Sequence, residues 1–427
     1  MIKKLIVVFI ACVSLFGFAQ EGTASPYSFY GIGSLKAKGT VENRSMGGLS
    51  IYTDSIHVNL RNPAAYAGSN LKIWNEENRP VKFSVGGSYN STTLKADSGE
   101  AEISATTFDY LALSLPISPK MGFGFGLLPF TAVGYSIEDF EGEDIVNQYQ
   151  GEGGVNRAFL GFGYRITDKL SVGIDINYNF GNIQNTAIEF LYDGDNLTQF
   201  ATIEENRSDL SGLNVNIGMT YRDMISEKLE LQVGATYMPR SNITSKNDRS
   251  ISTTSPFNPE TIDVNLASRG LEETNLTLPS KFSIGGGVGE PRKWFAGFEY
   301  TLRNTSEFSN PFITANNTNF VNASGISFGG FYIPDYNSFN SYWKRVVLRG
   351  GIYYEHTGLE IKTEPINEFG ITFGVGLPVG GIFSNANIGA EIGRRGTREQ
   401  NLILENFFNL HVSLSLNDRW FEKRKYN

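Results

Sequence analysis

Apolar and polar residues alternate with a period of two along several long segments of the chain. From Leu170 to Phe180 every second residue is apolar, and the positions between them are Ser, Gly, Asp and Asn. Successive side chains of a β-strand point to opposite faces, so this pattern predicts strands with one apolar and one polar face. The same alternation recurs at 213–221, 229–237 and 408–416.

The length of these segments favours strands that cross a membrane. A bilayer-spanning strand needs about 9–11 residues, whereas strands of globular proteins usually have about 5 or 6. The apolar sets also tend to finish in Tyr or Phe, as an aromatic girdle requires. The predicted strands are 81–95, 101–117, 120–138, 147–166, 169–190, 202–222, 228–243, 263–289, 292–304, 323–334, 343–356, 361–377, 382–394 and 402–417.

Fourteen strands form an even set, as in single-chain bacterial barrels, and place both chain ends in the periplasm. The expected fold is therefore all-β, a 14-stranded antiparallel transmembrane β-barrel. A soluble secreted β protein, whose strands also alternate, is the alternative. Short periplasmic turns are predicted at 118–120, 167–169, 290–292 and 378–380, and long outer loops near 140–150, 191–204, 243–262 and 305–322.

Composition agrees with an exported barrel. The chain has 47 Gly and 13% aromatic residues, and residues 21–427 contain no uninterrupted apolar run of membrane-spanning length. Residues 1–20 combine Lys3 and Lys4 with an apolar run, which predicts a secretory signal peptide. The one cysteine, Cys12, lies inside that run. If Cys12 is removed with the signal peptide, the mature protein has no thiol. The alternative is a lipoprotein, in which cleavage takes place just before Cys12.

A stretch rich in turn-forming residues, from Met46 to Tyr66, precedes the first predicted strand. Pro63 fixes its own φ, lacks an N–H and pushes Asn62 toward extended geometry, so a rigid turn is expected here, neither strand nor helix. Gly47 and Gly48 permit positive φ or close backbone approach. The stretch therefore predicts a plug that packs inside a narrow lumen. The aromatic segment 25–33 ahead of it would line an apolar pocket or pack under the barrel floor.

A Gly-Gly pair, Asp54 and then Asn-Pro-Ala, all ahead of a barrel pattern, resemble the hatch of the FadL-type long-chain fatty acid transporter family. The ending 417–426 resembles the tail of the Bacteroidetes branch of such barrels, so the resemblance covers nearly the whole mature chain. It implies a Gram-negative outer-membrane protein with an N-terminal hatch inside the lumen. The hatch residues are Gly47, Gly48, Asp54, Asn62, Pro63 and Ala64.

The third predicted strand is interrupted by a proline. Phe123, Phe125 and Leu127 face one way, with glycines opposite, until Pro129 breaks the alternation. A proline inside a closed barrel removes a ladder hydrogen bond and is tolerated only at a bulge or bend. In the family that it resembles, a kink of the third strand opens a lateral hole; a shape-relieving bulge is the alternative. The residues expected at the kink are Gly124, Gly126, Pro129 and Phe130.

The expected organisation is a signal peptide (1–20), a hatch (21–75), the barrel (76–417) and a periplasmic tail (418–427). The resemblance implies a channel for diffusion of hydrophobic compounds, long-chain fatty acids or similar, gated by the hatch, with outer-membrane lipid around it. The alternative is a barrel subunit or scaffold of a secretion or protein-assembly complex, which would bind other outer-membrane proteins or surface lipoproteins. The predicted lumen residues are mostly Asn, Ser, Gly, Thr and Glu, and the absence of an apolar pocket among them favours the scaffold.

Other classes of function find little support in the residues. The net charge of −8 and the lack of a basic run outside the last few residues argue against a nucleic-acid partner. His57, His356 and His411 are too scattered for metal-ligand spacing. His411 shares a strand face with Ser413 and Ser415, but a polar wall lining explains all three. We therefore predict no enzymatic activity, no cofactor and no metal.

Overall fold

The computed structural model describes residues 23, 25–36, 38–54, 56–67, 80–193, 196–254, 260–312, 317–379 and 384–418. The predicted signal peptide and nearly all of the predicted tail lie outside these residues. The strands and the short α-helix are β1 (Ser34–Leu35), α1 (Val41–Arg44), β2 (Val81–Ala96), β3 (Gly99–Pro116), β4 (Met121–Glu141), β5 (Asp144–Arg165), β6 (Leu170–Asp193), β7 (Asn196–Met224), β8 (Glu230–Met238), β9 (Ser241–Thr253), β10 (Glu260–Asp263), β11 (Glu273–Leu278), β12 (Lys281–Glu290), β13 (Trp294–Arg303), β14 (Thr318–Phe320), β15 (Ala323–Tyr332), β16 (Val347–Ile361), β17 (Glu364–Val379), β18 (Ser384–Arg395) and β19 (Leu404–Asp418).

The long strands form one closed antiparallel barrel of 14 strands, which confirms the predicted fold. β8 and β9 follow each other in line along β7, and β11 and β12 continue the next barrel strand in the same way. The sheet closes where β19 pairs with β2, from Leu404 opposite Lys95 to Asp418 opposite Val81. Among the described residues, no helix is long and apolar enough to cross a bilayer.

The predicted alternation corresponds to an apolar exterior and a polar lumen. On β6, Ile176 is 50% exposed on the outside, while Asn179 on the inner face is fully buried. Exposed large apolar side chains occupy the outer face of almost every barrel strand. This surface is typical of a lipid-facing band, and the inner face packs against residues of the chain's own N-terminal part.

Three predicted outer loops, near 140–150, 191–204 and 243–262, are wrong, because strands occupy most of each; in the third, β9 continues to Thr253. We call the end where β2 begins and β19 ends the proximal end, and the opposite end distal. At the distal end β4 reaches Glu141 and β5 starts at Asp144, while β6 and β7 have 24 and 29 residues. At about 3.3 Å per residue such strands far exceed a hydrocarbon core of about 30 Å. Polar residues there pair across the hairpins and do not form loops.

The third barrel strand, β4, departs from regular pairing at the predicted position. Its ladder with β3 runs only from Leu111 opposite Leu127 to Pro116 opposite Gly122. Beyond Leu127, β4 stays paired with β5 but no longer with β3. The β4–β5 register shifts between Pro129 and Thr131, so Phe130 is the extra residue of a bulge.

The bulge exchanges the two faces of β4. Before it, Phe125 and Leu127 are exposed on the outside; after it, the odd-numbered Val133 and Tyr135 are buried. A one-residue shift has this effect because side chains alternate with a period of two. All residues from 130 to 135 are buried, so this part of β4 is covered on both faces.

The N-terminal segment, our name for the described residues between 23 and 67, lies inside the barrel. Its Pro63–Ala67 turn is a short 3₁₀-helix, so the expectation of a non-helical turn was wrong. Proline suits this place because the first residue of a helix needs no N–H partner. The turn rests on strands β4 to β7 at the proximal end.

Glycines of four neighbouring strands form the seat of this turn. A Cβ at Gly218 of β7 would lie 2.7 Å from Cδ of Pro63, and one at Gly173 of β6 would lie 2.5 Å from the backbone N of Ala64. The Tyr66 ring lies between Gly124 of β4 and Gly161 of β5 in the same way. The absence of side chains at these positions lets the turn lie directly on the wall.

We predict that Gly218→Ala, alone or with Gly173→Ala, loosens this turn. The methyl group at 218 overlaps the side chains of Asn62 and Pro63, and the one at 173 overlaps the Pro63–Ala64 backbone; overpacking of this kind costs about 1–3 kcal/mol. Hydrogen exchange of the amides at 62–67 should accelerate. Gly286→Ala on β12 is the matched control, because its Cβ would be 3.7 Å from the nearest atom; equal exchange in the two variants would contradict the role of the seat.

Candidate functional site

The N-terminal segment pairs with the edge of β4 that β3 leaves unpaired. Ser34 and Leu35 of β1 pair with Ala132 and Thr131. The Lys36 N–H donates to the Phe130 carbonyl at 2.9 Å. Farther along, the Ser28 hydroxyl accepts from the Gly134 N–H and donates to the Gly134 carbonyl, both at 3.1 Å. Residues 28–36, which we call the edge segment, therefore take the place of β3 along this stretch.

A layer of apolar side chains lines the inner face of the barrel wall next to the edge segment, in the distal half of the barrel. It is built from inward-facing residues of neighbouring strands and is contacted by Phe29, Ile32 and Phe308. The prediction that the lumen offers no apolar pocket was wrong. The phase shift at Phe130 and the mostly polar neighbours of these side chains hid the layer in the sequence. Its wall residues are Val133, Val155, Ile183, Leu210, Ile243 and Leu276.

Below this layer lies a cavity of about 350 Å³, within the range of about 300–1,000 Å³ that is typical of small-molecule sites. Aromatic and aliphatic side chains from the wall and from the edge segment form one part of its lining. Charged and uncharged polar side chains and several glycines form the rest. The apolar lining includes Tyr27, Tyr30, Ile32, Leu128, Phe130, Phe159, Leu278, Phe308, Phe320, Tyr353, Leu359 and Ile366.

Most of the charged lining residues are engaged in ion pairs within the protein. Lys38 contacts Glu368 at 2.6 Å, Arg61 contacts Glu299 at 2.6 Å, and Arg395 also pairs with Glu368. Arg303 pairs with Glu355. Lys281 lines the cavity as well, and within the described part of the chain no carboxylate lies within 4.0 Å of its ammonium group.

The predicted hatch residues occupy fixed positions away from the edge segment. Gly47 has a φ of 70° and its N–H donates to Thr372 at 2.9 Å. A Cβ there would lie 2.8 Å from the Ile352 carbonyl oxygen, so the backbone touches the wall. Gly48, with a φ of 84°, accepts at its carbonyl from Arg61.

Asp54 and Asn62 organise their own turns. Asp54 accepts from the backbone N–H of His57 at 2.7 Å and contacts the His57 ring at 2.6 Å. Burial alone would raise the pKa of the Asp54 carboxyl, but the charge and hydrogen bonds of His57 hold it below its usual value. Asn62 accepts from Ala64 and donates to the Met219 carbonyl, each at 3.1 Å.

The residues predicted at the kink divide between two roles. Pro129 and Phe130 form the bulge. Gly124 is part of the glycine seat beneath Tyr66, and Gly126 lies against the Phe159 ring, where a Cβ would come within 2.8 Å. The two glycines therefore serve packing below the bulge, and the end of the β3–β4 ladder lies just above them.

The three histidines lie apart and contact acidic or amide side chains. His57 contacts Asp54, His356 contacts Asn367 at 2.8 Å, and His411 contacts Glu391 at 3.2 Å. Across the described residues, no group of three or more His, Cys, Asp or Glu side chains is placed to hold a metal ion. His411 thus belongs to a buried group of charged and polar side chains in the lumen.

Comparison with solved structures identifies the architecture. The P. putida toluene transporter TodX superposes with a TM-score of 0.61 at 15% identity, covering 90% of this chain and 99% of that chain. A Pseudomonas aeruginosa FadL homologue gives 0.59 at 12% identity, covering 90% and 98%. The Ralstonia pickettii toluene transporter TbuX gives 0.56 at 14% identity, covering 88% and 97%. The FadL-type fold inferred from the sequence is confirmed.

Sequence comparison is more specific. No curated protein matches the chain. The BamG family, in contrast, matches it over residues 1–427. Because this match covers the whole sequence, the chain belongs to the BamG family.

Proposed function

We propose that this protein is an outer-membrane channel through which hydrophobic compounds, long-chain fatty acids or similar amphiphiles, diffuse inward. One observation carries the proposal: the barrel wall loses its β3–β4 ladder directly beside a partly apolar cavity. The relatives in fold agree, since two are described as toluene transporters and one as a FadL homologue. Because the barrel's first strand begins and its last strand ends at the proximal end, which we take to face the periplasm, the distal end would lie outside the cell.

The proposed path avoids the proximal half of the lumen. A solute enters at the distal end, contacts the apolar layer and occupies the cavity, whose lining includes Leu128 and Phe130. It then leaves sideways between β3 and β4 into the bilayer. This route keeps an apolar solute out of water at each stage, so its transfer requires no large unfavourable hydration step.

The edge segment is the proposed gate. It covers the unpaired side of β4 through few backbone contacts, whereas the predicted hatch residues farther along rest on the glycine seat and on ion pairs. A short strand with few partners opens at a lower free-energy cost than a packed core element. We therefore assign gating to residues 28–36 and anchoring to Gly47, Gly48, Asp54, Asn62, Pro63 and Ala64.

Lys281 is the proposed counter-charge for an acidic solute. It lines the cavity without an ion-pair partner among the described residues, while Arg61 and Arg303 are already paired with Glu299 and Glu355. A carboxylate placed there would form a charge-assisted hydrogen bond, which is stronger than a neutral one. A fatty acid would then place its chain along the apolar lining.

A disulfide between β1 and β4 tests the gate. Ser34 lies opposite Ala132, and opposite residues of antiparallel strands are about 4.5–5.5 Å apart at Cα, within disulfide range. In Ser34→Cys/Ala132→Cys, oxidation should abolish uptake of a fatty acid by whole cells, and reduction should restore it.

Ser84→Cys/Ser415→Cys is the matched control for this disulfide. It joins β2 to β19, where the two residues lie opposite each other and the two hydroxyls are 3.2 Å apart, and should leave uptake unchanged in both redox states. Full uptake with the β1–β4 disulfide closed would rule out exit along the edge segment.

Lys281→Met should lower the rate of oleate uptake about tenfold, because loss of a charged hydrogen bond has roughly this effect. Uptake of an uncharged solute, toluene, should change little. Lys281→Arg, which keeps the charge, should retain most oleate uptake. Equal losses for both solutes would show that Lys281 has no role in charge recognition.

A second function, as a structural subunit of an outer-membrane complex, is favoured by the loop 333–346. This loop lies at the proximal end, where Phe339 is 100% and Trp343 74% exposed. Exposed aromatic side chains of this kind are enriched in protein interfaces. We propose another outer-membrane protein or lipoprotein as its partner.

Native mass spectrometry of the protein extracted gently from its membrane separates the two functions. A monomer with a fatty-acid adduct supports the channel. A defined protein complex that is lost in Phe339→Ser/Trp343→Ser supports the scaffold, whereas a complex that persists in this variant argues against the loop as its contact.

A further inference from the structure

Three polar atoms without a hydrogen-bond partner belong to residues of β5, of β6 and of the turn that rests on these strands, and two of these residues line the cavity. They are Nη2 of Arg157, Oδ1 of Asp175 and the hydroxyl of Tyr66. Asp175 and Tyr66 are 3% and 4% exposed. A buried polar group that lacks a partner is unfavourable in a folded protein. Such groups beside a cavity therefore indicate that something polar binds there.

Backbone pairing explains why these side chains are neighbours. Asp175 on β6 lies opposite Gly161 on β5. Because Gly161 has no side chain, its place is taken by Oδ1 of Asp175 and by the edge of the Tyr66 ring, whose Cδ2 would be 2.9 Å from a Cβ at Gly161. The carboxylate therefore lies against the Tyr66 ring.

Arg157 lies farther along β5, toward the distal end. Its Nε donates to Asn179 at 2.9 Å, and its guanidinium lies 3.8 Å above the centroid of the Phe130 ring. These two contacts fix the side chain and leave Nη2 available. Arg157 and Asp175 both line the cavity, together with Leu128 and Phe130 beside the bulge. The group therefore lies where a solute would approach the gap between β3 and β4.

The chemistry of the three atoms selects a particular kind of ligand. Arg157 and Tyr66 can donate a hydrogen bond, and the Asp175 carboxylate accepts one. When Asp175 is ionised, its charge is opposite to that of Arg157. A group that both donates and accepts, such as a hydroxyl or a carboxamide, can satisfy this set. An anion cannot donate to Asp175 and would be repelled by it.

We propose that Tyr66, Arg157 and Asp175 form a polar subsite for an uncharged hydrogen-bonding group, a hydroxyl or carboxamide, on an otherwise apolar solute. This inference rests on the proposed channel function and adds a substrate class to it. It concerns the side of the cavity next to the bulge. Lys281, the counter-charge proposed for acids, lies on β12, beyond β7 and β8.

The test uses two probes with the same chain, 1-dodecanol and dodecanesulfonate, the second permanently anionic. Their dissociation constants are measured for the mature chain in phosphatidylcholine nanodiscs, after subtraction of the uptake by empty nanodiscs. The readout is the ratio of the sulfonate constant to the dodecanol constant. A change in charge at the subsite alters this ratio, whereas general structural damage weakens both probes together.

Two variants should shift the ratio in opposite directions. Asp175→Asn removes the charge that repels an anion, so the ratio should fall about tenfold; Arg157→Met leaves that charge unbalanced, so the ratio should rise about tenfold. Tyr66→Phe keeps the seated ring, loses a donor and should weaken dodecanol binding several-fold.

Matched controls come from an ion pair outside the cavity. Asp209→Asn and Arg207→Met make the same changes at an exposed pair on β7 and should leave the ratio unchanged. If both probes bind but neither Asp175→Asn nor Arg157→Met alters the ratio, the subsite holds only water and the inference is wrong. If neither probe binds above empty nanodiscs, the channel proposal fails as well.

Discussion

The backbone hydrogen bonds of β4 are the constraint on which the rest of the structure depends. In a membrane every backbone N–H and C=O needs a partner within the protein, and β4 loses its partner strand beyond Leu127. Residues 28–36 replace that strand through β1, Lys36 and Ser28. Where the wall parts, the β4 edge from Phe130 to Gly134 therefore has a partner, because a piece of the chain's own N-terminal segment covers it.

This arrangement gives the N-terminal segment two parts with different stabilities. The part around Asn62–Ala67 lies on glycines, and α1 and its neighbours are tied to the wall by buried contacts such as Arg44 with Asp109 at 3.1 Å. An ion pair with little solvent around it is weakly screened by salt. The edge segment, in contrast, depends on a few backbone bonds. Motion confined to the edge segment, which the proposed gate requires, would leave the anchored part in place.

The sequence predicted the barrel well because its signal is repeated in every strand. The two faces of 170–180 and 408–416 were correctly separated, since alternation reports directly on lipid and lumen. The prediction failed where polarity no longer distinguishes a strand from a loop, as in the part of the β6–β7 hairpin that extends beyond the bilayer. It also missed the apolar layer, because the inward phase of Val133 depends on the bulge at Phe130.

The site was predictable only in part for a related reason. Pro129 marked the interruption, since proline has a fixed geometric effect. Asp175, Arg157 and Lys281 gave no such signal, because each is one polar residue among many inward-facing ones. Their importance depends on which neighbouring residues are glycines and which charged side chains lack an ion-pair partner. Both depend on the register in which the strands pair, which the sequence alone does not reveal. The clearest signal left in the sequence was an inward Asp between Gly173 and Asn177.

The closing seam has a consequence for the order of assembly. β19 and β2 join over fifteen residue pairs, and β19 is the final strand of the barrel, so the ring cannot be completed before the last strand is in place. Contacts between such distant parts of a chain form slowly. The closing strand also contacts the N-terminal segment, since the Ser415 hydroxyl of β19 donates to Glu42 at 2.9 Å. Closure of the ring and docking of the N-terminal segment are therefore coupled through the same strand.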